Sequence, residues 1–306
     1  MTSATTLPEA APTRRVRLEA LRRGVTPYLL SIAGFGWLGF FFVIPLVSGL
    51  LVSLMTGNPD QGYVLTWNWS VYADLFTGPT PYWLYLVRSL TYGLSATAFT
   101  IILAFPVAYF IAFRVSARWK TTLLALVMVT FFVSFIIRTD MWFYLLGGNG
   151  PITRVLVHLH VLDHGQTFLS TPGSVIGGMV YNDFAFMVLP IYVAMERIDP
   201  RLHEASNDLF GNRANTFFRV TVPLTRSGVF SGILLVLIDT VGDPVNSSIL
   251  GGKETYTIGQ AIQNAYFTTQ QYNVAAALST LLMAILGIIL FLYARVVGTE
   301  NIEDLI

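Results

Sequence analysis

Three aspartates interrupt stretches of sequence otherwise suited to a lipid bilayer. Asp183 lies nine residues past Ser174 in the apolar run 174–195. At 1.5 Å per residue that is roughly 13 Å along a helix, close to mid-membrane. Asp239 stands late in the run 227–242 and Asp243 follows four positions on, a spacing that puts both carboxylates on one helical face. An ionised Asp near a bilayer centre costs about 2.5–3.5 kcal/mol on insertion scales, so such side chains usually face a cavity or a partner. Carboxylates there suit a path for a di- or trivalent amine, because they replace part of the water each ammonium gives up. Tyr181 and Trp142 are the aromatic candidates for cation–π contacts, worth about 0.5–2 kcal/mol. Plainer readings stay open: a structural hydrogen bond or an ion pair with an arginine of a second chain for Asp183, and a polar pair at an outer mouth for Asp239 and Asp243.

A second concentration of chemistry is the charged island EASNDLFGNRANTFFRVTVP, 204–223, between two apolar runs. Asp199-Pro200 reads as a helix start, N-cap followed by Pro at the first helical position, and Gly211 supplies the stop. The helix between them has about ten residues and is roughly 15 Å long. Leu202, Ala205, Ser206 and Leu209 share one side of it. The small side chains of Ala205 and Ser206 permit close approach to a partner groove, where Glu204 and Asp208 meet basic groups. A second short helix, about 214–220, is predicted to end before Pro223. The competing reading is an amphipathic helix lying at the headgroups.

Composition fixes the setting of both groups. The chain has 306 residues, 54% hydrophobic and 11% charged, with mean hydropathy +0.62. Soluble domains carry roughly 25% charged residues, so most of this surface faces something other than water. A net charge of +1 gives no reason to expect nucleic acid. The chain has no Cys, and its four His (158, 160, 164, 203) are scattered, so no metal is expected. Spans of roughly 20 apolar residues are predicted at 28–55, 89–113, 121–137 with an extension toward Leu146, 174–195, 227–242 and 274–297. The fold class is therefore an all-α integral membrane protein with six transmembrane helices, and the loop 196–226 joins the fourth to the fifth. Residues 1–27 and 298–306 are read as tails, the first partly disordered. The first span is too long for a cleaved signal peptide. With the N-terminus inside, fourteen Lys and Arg fall on the inner side and four (Arg88, Arg138, Arg154, Lys253) on the outer, which makes both termini cytoplasmic. The outer segments 56–87, 147–172 and 244–272 are long enough to be functional.

The island resembles the cytoplasmic coupling loop of bacterial ABC-importer permeases, in which a Glu-Ala-Ala triplet is followed nineteen residues after its Glu by Pro. Glu204-Ala205-Ser206 and Pro223 keep that spacing. The stretch from Ser89 to Val297 resembles the permeases of spermidine/putrescine importers. The supporting segments are RSLTYGLSATAFTIILAFPVAYFIA (88–112), TPGSVIGGMVY…FMVLPIY (171–192) and ILGG (249–252). Phe210 occupies the family's Gly position, with Gly211 one place later, and Val220 and Val222 replace Ile and Leu. Gly242-Asp243 matches a Gly-Glu of some polyamine permeases, whose second acid five positions on is Ser248 here.

The resemblance implies a subunit of an ATP-driven importer in the bacterial inner membrane, carrying a small cationic solute, most readily a polyamine. Its implied partners are a cytoplasmic ATPase dimer, a second and different permease subunit, and an extracytoplasmic binding protein. It implies no cofactor on this chain, with ATP and Mg on the ATPases. The sequence agrees in having no G-x-x-x-x-G-K-[ST] loop, since Gly251-Gly252-Lys253 is followed by Glu254. The alternatives are an importer of iron, thiamine, phosphonate or sulfate, an ion-coupled secondary transporter, and a membrane enzyme.

Overall fold

The computed structural model describes residues 31–32, 34–163, 165–199, 201–202, 204–206 and 212–297. Two units divide the chain, one through Leu51 and one from Val52 onward. Helix α1 (Gly34–Ser53) covers the end of the first and the first two residues of the second. It is uncharged and 20 residues long, which at 1.5 Å per residue gives about 30 Å, a full bilayer crossing.

Past α1 the second unit opens on a short hairpin, beside which the described residues are mainly helical. Strands β1 (Met55–Asn58) and β2 (Gly62–Leu65) pair antiparallel. The turn between them is built locally: Gln61 N donates to Asn58 Oδ1 at 2.9 Å, and Gly62 takes φ +80°, a conformation open to glycine. Helices α2 (Ser70–Thr77), α3 (Tyr82–Phe113), α4 (Ala117–Val129), α5 (Phe135–Leu146), α6 (Pro151–His158) and α7 (Pro172–Glu196) follow. Then come the helical run α8 (Ala214–Leu224) and α9 (Arg226–Gly242), α10 (Val245–Leu250), α11 (Ile258–Phe267) and α12 (Tyr272–Val297).

Helices α1, α3, α7 and α12 are each long and apolar enough to cross a membrane alone. Two further crossings are broken: 117–132 meets 135–158 at 92°, and α8 meets α9 at 61°. Among the described residues there are thus four such spans, or up to six when each bent pair counts as one. The predicted continuous third span fails at Val133 and Ser134, whose ψ values of 132° and 133° are extended. Just before this break Thr130 Oγ1 donates back to Val127 O at 2.8 Å, the kind of local bond that competes with a helix and bends it. The second span begins at Tyr82, so Arg88 sits inside helix α3, where its Nη1 donates to Tyr256 O at 3.1 Å.

α7 is the centre of the unit. Its C-terminal half, Met187, Val188, Ile191, Tyr192 and Met195, packs with Ala104, Ala108 and Ile111 of α3 and Val236 of α9. Its N-terminal half, Val175, Met179 and Val180, packs with Tyr92 and Ala96 of α3 and Leu250 of α10. The alanines let backbones approach closely, the usual source of helix association in lipid. A third cluster joins α2, α3, α9, α11 and α12 around Leu75, Leu237, Ile258 and Leu278.

Candidate functional site

Three segments that carry the family resemblance meet at one end of α7 and α3. Thr171 and Ser174 close a capping box around the start of α7. Ser170 N and Ser174 Oγ both donate to Leu250 O at 2.9 Å, which seats the Ile-Leu-Gly-Gly turn on that helix start. Ser89 Oγ accepts from Ile258 N at 2.9 Å and so holds the first turn of α11. This clamp fixes α10, the short helix beside the acids.

The acids then fall at the junction of α5, α7, α9 and α10. Asp183 is 2% exposed, and its Oδ1 has no hydrogen-bond partner. Its carboxyl lies within side-chain hydrogen-bonding reach of Asp239, with Asp243 and Arg138 near enough for their charges to act on it. Asp239 is exposed and lines an open cavity of 410 Å³ with Phe135, Ile238, Gly242, Asp243, Pro244 and Val245. Asp243 lines the same cavity, but its carboxylate is already committed. It accepts from Val245 N at 2.7 Å, from Asn246 N at 3.1 Å and from Asn246 Nδ2 at 2.6 Å, and thereby caps α10.

A buried amide relay runs behind these acids. Asn182 Nδ2 donates to Thr139 Oγ1 at 3.0 Å and to Asn246 Oδ1 at 3.1 Å. The chain Thr139–Asn182–Asn246–Asp243 therefore ties α5, α7, α10 and the end of α9 together. Trp142 and Tyr181 stack edge to face with ring centroids 5.4 Å apart, and Tyr181 is 41% exposed. Four of the five pathway residues expected from sequence lie on these helices, and the structure brings Asp183 against Asp239; Asp243 follows the last residue of α9 with an extended backbone, so it does not continue one helical face from Asp239. The sequence reading missed Asn182, Asn246 and Arg138. Sequence reading counts Arg138 among the outer charges and within the extension of the third span; the structure places it 9% exposed in α5. Its signal was an arginine within the apolar run 131–146, since an ionisable residue at membrane depth reads as functional by default.

At the other end, Asp199 Oδ1 accepts from Arg201 N at 2.9 Å, the expected N-cap, and residues 201–202 and 204–206 are helical. Glu204 and Ala205 are exposed. Ser206 is buried and donates to Thr216 Oγ1 at 3.0 Å, so its hydroxyl ties the two arms of the island together. Asp208 and Gly211 lie outside the described residues. The second arm does not stop before Pro223. A π-turn at Phe217–Thr221 leads into Val222–Leu224, and Pro223 sits in the first turn of that segment, where its missing N–H is tolerated. Phe217 packs edge to face on Phe105 and Tyr109 of α3, at 5.6 and 5.5 Å. The island is thus anchored to α3 and runs, through the bend at Thr225, into the helix that carries Asp239.

Comparison with known proteins agrees with this architecture. Residues 104–299, more than half of the chain, match the family described as binding-protein-dependent transport system inner membrane component. The chain is 31% identical over 262 residues to the spermidine/putrescine transport system permease protein PotB of Haemophilus influenzae, covering 85% of this chain and 90% of that protein. It is 30% identical over 260 residues to the protein of the same name in Escherichia coli K12, covering 85% and 94%. Among solved structures, a bacterial alginate ABC transporter in complex with an alginate pentasaccharide-bound periplasmic protein superposes with a TM-score of 0.69 at 16% identity, covering 90% of this chain and 95% of that one. That likeness bears on the fold alone. The chain is a membrane permease and belongs to the binding-protein-dependent transport system inner membrane components.

Proposed function

We propose that this permease carries a small polycationic amine of the spermidine and putrescine class, driven by ATP that a separate subunit hydrolyses. The observation that carries the reading is the Asp183–Asp239 pair, one carboxyl buried with a single oxygen unpartnered, the other opening into a cavity of 410 Å³. An idle buried carboxyl oxygen calls for a donor, and two carboxylates side by side call for positive charge. An ammonium supplies both. The names of the relatives favour the same class of solute.

The island is the coupling element in this reading. Glu204 and Ala205 face a cytoplasmic ATPase dimer, which binds the ATP and Mg. Its closure pulls the arms, and the bend at Thr225 passes the motion to α9 and so to Asp239. Both termini are cytoplasmic. A second, different permease subunit completes the path, and an external binding protein delivers the solute to the end where α10 and α11 lie.

The test is a solute panel in proteoliposomes containing the chain with its ATPases, second permease and binding protein. ATP-dependent uptake of labelled putrescine or spermidine is the expected result. Uptake of sulfate, phosphonate, thiamine or iron with none of either amine overturns the substrate class.

A further inference from the structure

Arg138 is a buried cation that reaches the residue next to Asp183 and is held loosely. It stands in the first turn of α5, immediately past the break at 133–134. Among the described residues its one hydrogen bond runs from Nη1 to Asn182 O at 3.4 Å, long beside the roughly 2.7–2.9 Å of a charge-assisted bond. Its Nε has no partner. The guanidinium carbon lies 5.7 Å from the centroid of the Phe135 ring, and Phe135 lines the cavity into which Asp239 opens. Asp183, next along α7 from the residue that accepts from Arg138, has its own idle oxygen. Asp140 is two positions on, a spacing that does not bring side chains face to face on a helix.

A permanent structural ion pair has a different appearance. A buried arginine kept for stability forms a bidentate fork on its carboxylate and uses its remaining donors. Here the guanidinium and the acid are both buried, each has an unused polar atom, and the cavity lies alongside. A cation there offsets the repulsion between carboxylates within reach of each other, which in a medium of low dielectric is far stronger than in water.

We propose that Arg138 is a tethered counter-ion, balancing Asp183 and Asp239 while no solute is present and exchanged for a substrate ammonium at each transport cycle. The inference rests on the acid-site reading of the preceding section and adds a displaceable competitor to it. Arg138 then limits how tightly the amine is held, and its return to the carboxyls drives the amine off. Removing its charge strengthens binding and slows release, so affinity and turnover move in opposite directions.

The experiment measures binding of labelled spermidine to the purified permease–ATPase assembly without binding protein, and uptake by the complete importer. With Arg138→Gln, the Kd is expected to fall by at least about five-fold, within the usual range of coupling between two ligands, while uptake slows. Adding Asp183→Asn abolishes the gain, and Arg138→Lys, which keeps the charge, brings the Kd back toward wild type. An unchanged or weaker affinity in Arg138→Gln, with amine binding intact in the wild-type assembly, overturns the exchange. An absence of amine binding and uptake in the wild type sinks the acid-site reading itself. Should Arg138→Gln fail to assemble, the charge-balanced pair Arg138→Gln with Asp183→Asn decides. Recovery of assembly by the pair supports the counter-ion, and continued failure means that Arg138 is held for packing.

Discussion

Asn246 occupies a position with no slack. It is fully buried, it accepts from Asn182 and it donates to Asp243 at 2.6 Å. Opposite it, a Cβ added at Gly178 would stand 2.6 Å from its Oδ1, well inside van der Waals contact. Gly178→Ala therefore forces the amide out of the relay that joins α7 to α10 and leaves Asp243 with fewer donors. Overpacking of this sort costs roughly 1–3 kcal/mol, and a buried polar atom left unpaired adds about as much. The expected outcome is a lower melting temperature of the purified chain in detergent, together with weakened transport. An unchanged melting temperature in Gly178→Ala would mean that α10 moves freely on α7. Asp183 and Asp239 were legible in the sequence because acids in apolar runs stand out. Asn182 and Asn246 were not, since an amide in an apolar run has no periodicity of its own and its partner is sixty-four residues away.

Elements transmit what residues begin. The island has two arms, pinned by Ser206 on Thr216 and anchored to α3 by Phe217. Under the proposed function the pinned pair of short helices moves as one body, and the bend at Thr225 converts that movement into tilt of α9. Glu204 is the exposed charge on the first arm. Glu204→Ala is expected to leave insertion and amine binding intact while lowering uptake per ATP hydrolysed by about ten-fold, the effect of losing a contact worth about 1.4 kcal/mol. Full uptake with full amine-stimulated hydrolysis in that variant would remove Glu204 from the coupling. The island's position, its Asp199 cap and its Glu-to-Pro spacing were readable from residue types alone. The run of helix through Pro223 was not, because a π-turn absorbs a missing donor without any signature in composition. The break at Val133 was hidden for a related reason: both halves are apolar, and only the local backbone shows the turn of 92°.

For the molecule as a whole, the proposed function requires the island at the cytoplasmic face of the membrane, with the acid site deeper along the spans. Sequence alone gave the membrane class and the inner bias of Lys and Arg, and the burial of Arg138 in α5 does not alter that bias. The absence of cysteine makes the placement directly measurable. A single Cys introduced as Ala205→Cys, at an exposed position, is expected to react with a membrane-impermeant maleimide in inside-out vesicles and not in intact cells. Reaction in intact cells would invert the assembly and detach the island from any cytoplasmic ATPase.

In the proposed function, energy from one face moves a cation past the buried carboxyls, and a single comparison reads this. Uptake of labelled spermidine is measured in ATP-supplied proteoliposomes holding the complete importer, wild type beside Asp183→Asn at equal incorporation. Accumulation by the wild type, reduced at least about ten-fold in the variant as expected for loss of some 1.4 kcal/mol of stabilisation, is the predicted result. Wild-type kinetics in Asp183→Asn would contradict it.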